Sequence, residues 1–83
     1  MVMTKNIHFT ILVRIDRRLH EFNFRKRTEE RYDGDCSDDR GTRYYFTMEK
    51  EISAWSVRFS QLPKWIAGNE ELIIQSFTDT INM

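Results

Sequence analysis

Apolar residues recur at every second position through the first half of the chain. In residues 6–15, "NIHFTILVRI", Ile7, Phe9, Ile11, Val13 and Ile15 share one parity, and His8, Thr10, Leu12 and Arg14 the other. A period of two carried by β-branched and aromatic residues predicts a strand with one buried face. Residues 20–27, "HEFNFRKR", repeat the pattern, with Phe22 and Phe24 against Glu21, Asn23, Arg25 and Arg27. Taking 16–19, "DRRL", as the turn sets Val13 opposite Phe22, Ile11 opposite Phe24 and Arg14 opposite Glu21. Each face then keeps one character.

Residues 42–48, "TRYYFTM", alternate again, with Tyr44, Phe46 and Met48 inward. Just before them stands "DDRG", a type I turn signature whose closing glycine takes positive φ as a bulge. Pairing backwards from it places Cys36 opposite Tyr44, Gly34 opposite Phe46 and Tyr32 opposite Met48, with Asp33, Asp35 and Ser37 outward. "YDGDCS" is therefore expected as a third strand, joined to the second by "TEER" at 28–31. Glycine and aspartate are poor strand formers, so this is the weakest element of the pattern. A fifth strand is expected at 54–59, "AWSVRF", with Trp55, Val57 and Phe59 on one side, after a turn at 49–53.

The period then changes. Pro63 suits the start of a short helical turn, Gly68 its stop, and Asn69 a new N-cap followed by Glu70 and Glu71. Ile73, Ile74, Phe77 and Ile81 make a stripe at helical spacing, whose only large apolar counterpart is the inner sheet face. The expected fold is α+β: an antiparallel five-stranded meander with a C-terminal α-helix packed on one face, in a single domain over residues 1–83.

Composition fits a folded domain. Hydrophobic residues make up 40% of the 83 and aromatics 13%, which a disordered chain would lack. Net charge is zero but unevenly spread: eight basic residues face four acidic ones up to Arg31, and five face nine thereafter. The halves are expected to compensate one another within the molecule or across two copies. One cysteine makes no internal disulfide, no apolar run reaches a membrane span, and no signal-peptide pattern is evident, so the expected compartment is cytoplasmic, with no membrane partner.

The segment "RYDGDCSDDRG" at 31–41 concentrates carboxylates around the single thiol. As an EF-hand loop beginning at Asp33 it fails where it matters: the glycine position holds Asp38 and the bidentate Glu position holds Tyr44. His8, His20 and Cys36 lack zinc-site spacing. Acidic neighbours raise a thiol's pKa, which makes Cys36 a core residue rather than a nucleophile. No cofactor, metal or catalytic residue is expected, and an enzyme would need a cleft uniting His8 or His20 with two of the acidic residues.

Binding is the remaining class. The registers place Arg14, Arg25, Arg27, Arg43, Arg58, His8 and Tyr45 on the outer face, a composition suited to single-stranded nucleic acid. Glu21, Asp33 and Asp35 share that face and favour a surface of cross-strand ion pairs instead. Trp65 is either a hot-spot residue or a lid on the core. Residues 6–13 carry neither charge nor proline to guard a strand edge. The sequence thus points to a small non-enzymatic protein–protein interaction module, homodimeric or bound to a partner through strand one, with nucleic-acid binding as the alternative.

Overall fold

The computed structural model describes residues 7–58 and 62–82. Five antiparallel strands form one sheet in chain order: β1 (His8–Ile15), β2 (Arg18–Thr28), β3 (Arg31–Ser37), β4 (Arg43–Glu51) and β5 (Ala54–Arg58). Two helices follow, α1 (Lys64–Ala67) and α2 (Glu70–Ile81). The α+β meander expected from the alternating pattern is the fold observed. Phe59, expected to end β5, and Asn6, expected to begin β1, lie outside the described residues.

The β1–β2 register departs from the expected one by two residues. Ile11 pairs with Phe22, Phe9 with Phe24, and Arg14 with Leu19 rather than Glu21. The turn is only Asp16–Arg17, both with positive φ (50° and 69°), so Arg18 and Leu19 belong to β2. Positive φ at both central residues matches the right-handed twist of the flanking strands, which an ordinary type I or II turn would splay. Because side chains alternate with period two, a shift of two leaves every face as expected.

The β3–β4 register is the expected one: Cys36 opposite Tyr44, Gly34 opposite Phe46, Tyr32 opposite Met48. Asp38 and Gly41 close the turn, the Gly41 amide donating to the Asp38 carbonyl at 3.0 Å with Gly41 at φ 85°. The Asp38 carboxylate also accepts from the Arg40 and Thr42 amides, both at 2.9 Å. Elsewhere the turns are tighter than expected. Glu29 and Glu30 alone join β2 to β3, after a register shift between Lys26 and Thr28. Ile52 and Ser53 alone join β4 to β5, with Ile52 fully exposed at φ 59°.

The inner face carries Ile11, Val13, Ile15, Phe22, Phe24, Tyr32, Cys36, Phe46, Met48 and Val57, all buried. Ile66 of α1 and Ile73 and Phe77 of α2 complete the core. Pro63 caps α1 rather than entering it, and Asn69 precedes α2 without a side-chain cap. The Asn69 side-chain Nδ2 instead donates to the Trp65 carbonyl at 2.7 Å, tying the two helices together. Phe77 lies at 4.9 Å ring-centroid distance from each of Phe24, Tyr32 and Trp55, so one helical side chain touches β2, β3 and β5.

Gly34 explains how a poor strand sequence forms β3. The Phe46 ring packs against its backbone, and a Cβ at position 34 would fall 2.6 Å from Phe46 Cζ. The missing side chain is space the aromatic core occupies. Gly34→Ala should therefore lower stability by about 1–3 kcal/mol, the usual cost of overpacking. Chemical denaturation would measure it, and an unchanged midpoint would contradict this packing.

Candidate functional site: an open sheet edge and a face of paired charges

β1 and β5 are the two edges of the sheet. The Lys26 amide donates to the Ile7 carbonyl at 2.8 Å, in line with the β1–β2 register. In an antiparallel ladder bonded pairs alternate, so Phe9, Ile11, Val13 and Ile15 direct their backbone groups at β2. The N–H and C=O of His8, Thr10, Leu12 and Arg14 therefore point away from the sheet. Among the described residues, none of these four pairs of groups has a hydrogen-bond partner.

The opposite edge is handled differently. On β5, the Val57 amide, which points away from β4, donates to the Glu70 carboxylate at 3.3 Å. Glu70 thus covers one edge donor from the first turn of α2. Sequence reasoning assigned Glu70 only to the helix dipole; its use on β5 depends on how the helix docks, which no local pattern encodes. A covered edge donor resists strand pairing at that point, whereas β1 offers eight residues with an exposed Leu12 at its centre.

The outer face gathers the expected side chains. Arg14, Arg25, Arg27, Arg43, Arg58, His8 and Tyr45 all lie there, and Tyr45 is 71% exposed. Carboxylates hold most of the arginines. Arg27 Nε lies 2.6 Å from Asp33, Arg43 Nη1 2.6 Å from Asp35, and Arg58 pairs with Glu51. A hydrogen-bonded row continues from Thr10 through Asn23 to Asp35. Among the described residues Arg14 and Arg25 have no ion-pair partner. The uneven charge of the two halves is met in part within the molecule: Arg18 pairs with Asp39, and Arg27 with Asp33.

Two depressions bring histidines near acidic residues. One, of about 450 Å³ on the outer face, is lined by His8 with Asp33 and Asp35. The other, of about 270 Å³, is lined by His20 with Asp16, Asp38 and Asp39. Neither forms an acid–base pair: no described hydrogen bond joins a histidine to a carboxylate. Asp33 and Asp35 are engaged by arginines, and Asp39 by Arg18. Burial tends to raise Asp38, but hydrogen bonds from the Thr42 amide, the Tyr44 hydroxyl and the Arg40 amide outweigh it and hold its carboxyl below the usual aspartate value. A carboxylate fixed in its ionised form is a turn-former rather than a proton shuttle.

His20 stacks on Trp65 at 4.5 Å, and Phe22 and Tyr44 meet the same indole at 6.4 Å. Trp65 is half-buried on the inner side, away from the six outer-face residues expected to bind with it. It covers the end of the core. Among the described residues no three His, Cys, Asp or Glu side chains converge as a metal-ligand set, and no helix is long and apolar enough to cross a membrane. No protein family, curated protein or solved structure matches this sequence.

Cys36 is buried on the inner face, as its register requires. Burial first, then the charge of Asp35, pushes its thiol up to about 12. The folded chain therefore keeps a proton that the unfolded chain loses from about pH 9. This contribution to stability is complete below pH 9 and is lost as pH climbs toward 12. Cys36→Ala should remove that part of the alkaline decline, read from denaturation midpoints across this range. Native Cys36 should also resist a thiol reagent at pH 8 and react once the chain is unfolded; prompt reaction in the native state would contradict its placement.

Proposed function

We propose that this chain is a non-enzymatic, cytoplasmic protein-interaction module whose binding surface is the free edge of β1. Another polypeptide supplies an extended strand, and main-chain hydrogen bonds to His8, Thr10, Leu12 and Arg14 carry the affinity. One observation supports this reading above the others. β1 presents four successive outward donor–acceptor pairs with no charge before Arg14, while on the other edge Glu70 already takes the Val57 amide. Natural sheets blunt exposed edges with charge, proline or a bulge, and β1 has none of these between His8 and Val13.

Single-stranded nucleic acid is the second reading. The exposed Tyr45 ring and the unengaged Arg14 and Arg25 favour it. Against it stand Asp33, Asp35 and Glu51, which already neutralise Arg27, Arg43 and Arg58 and would repel phosphates.

Leu12→Pro separates the readings. The Leu12 amide faces away from β2, so proline there removes an edge donor without breaking the β1–β2 ladder. Light scattering should show association by the wild-type chain at high micromolar concentration and its loss in Leu12→Pro, with circular dichroism unchanged. Equal association by a folded variant would overturn the edge. Oligonucleotide binding at low salt that weakens in Arg25→Ala or Tyr45→Ala would favour the nucleic-acid reading.

A further inference from the structure

We propose that a second copy of this chain occupies the β1 edge in one defined register, and that the seam so formed is a two-chain site for a phosphate-class anion. The inference rests on the strand-addition reading and specifies its partner.

The register follows from which residues face outward. Edge hydrogen bonds belong to His8, Thr10, Leu12 and Arg14, so a partner strand must pair among these even-numbered positions. An antiparallel copy whose two-fold axis passes through Ile11 sets His8 opposite the second copy's Arg14 and Thr10 opposite the second copy's Leu12. All four residues of both chains are then bonded. Moving the axis to Thr10 sets Arg14 opposite Asn6, outside the described strand, and moving it to Leu12 sets His8 opposite Asp16 of the turn. The Ile11 axis also extends the apolar inner row, because Ile11 meets its own copy and Phe9 meets the second copy's Val13. A two-fold interface must be self-complementary, and of these three axes this one pairs every outward residue of β1 (His8–Ile15) within β1 itself.

The outer side of that seam is basic. His8 lies directly opposite Arg25 within the chain, so the second copy's Arg14, His8 and Arg25 fall in one row across three strands. The backbones of the two arginines are then about 10 Å apart, two strand spacings, with His8 between them. Both guanidinium groups reach a common point above His8 from opposite sides. They are the same two outer-face arginines that make no ion pair among the described residues. The next side chain in the row, Asp33, is already engaged by Arg27 and Arg31. Glu21, diagonal to Arg14 on its own chain, makes no ion pair with it.

Two arginines flanking an imidazole suit a phosphate oxyanion, which takes bidentate guanidinium contacts from both sides. Symmetry makes the site twice per dimer. Without an anion the like charges oppose closure of the seam; with one they are bridged. A ligand that binds only the dimer tightens the dimer by mass action.

Singly substituted chains test the register. On mixing and mild oxidation, a Thr10→Cys chain should form a disulfide with a Leu12→Cys chain, and each alone should cross-link poorly; buried Cys36 stays out of the reaction. Faster cross-linking of either variant with itself would overturn this register, yet leave strand addition intact if Leu12→Pro still abolishes the dimer. A wild-type chain that stays a single copy at high micromolar concentration would sink the parent reading as well. Pyrophosphate at constant ionic strength should lower the dimer dissociation constant severalfold in the wild type and not in Arg25→Ala. No shift, or an equal shift in Arg25→Ala marking an adventitious ion only, would overturn the anion site.

Discussion

The insertion of Phe77 against the inner face of the sheet is the contact on which the rest depends. The sheet has one apolar face, and among the described residues the C-terminal helices are what covers it. Phe77, fully buried, meets Phe24, Tyr32 and Trp55 at once, with Phe9 at 6.1 Å. α2 accordingly lies against both edge strands, β1 and β5. Tilted and edge-to-face rings of this kind contribute beyond the area they bury. The packing also commits the inner face entirely to stability, leaving the outer face and the edges for any contact with another molecule.

The two edges then acquire opposite characters from one docking event. Placing α2 over the core brings Glu70 to the Val57 amide and so takes one outward donor of β5. Nothing comparable happens along β1 among the described residues, although α2 packs on its inner side. The outer face is settled by a different balance. Its carboxylates engage three of the five arginines expected to bind there, in exposed pairs that contribute little stability but cancel the field a polyanion would need. Arg14 and Arg25 escape this cancellation among the described residues: Asp33, directly opposite Arg25, is held by Arg27 and Arg31, and Glu21 makes no ion pair with Arg14.

Much of this was legible in the sequence because period-two alternation is insensitive to errors of two residues. The alternating pattern places the β1–β2 register two residues off, yet Ile11, Val13, Phe22 and Phe24 still face inward. The tight Asp16–Arg17 turn lacked the asparagine–glycine signal that usually announces it, and an arginine at positive φ is an unusual choice. The "DDRG" turn carried its own glycine marker, and so the acidic, cysteine-bearing segment could be placed as β3 with its partners correctly assigned. What stayed hidden depends on three dimensions: the Glu70 cap, the stacking of His20 on Trp65, and which arginines the carboxylates would engage.

The central claim is that the outward backbone groups of β1 are open in the isolated chain and closed by a partner strand. Amide hydrogen exchange resolved by residue reads this directly. At low concentration His8, Thr10, Leu12 and Arg14 should exchange quickly while Phe9, Ile11, Val13 and Ile15 are protected, and raising the concentration should protect the first set. Protection of all eight amides at the lowest concentration, or of none of the first set at the highest, would contradict the account.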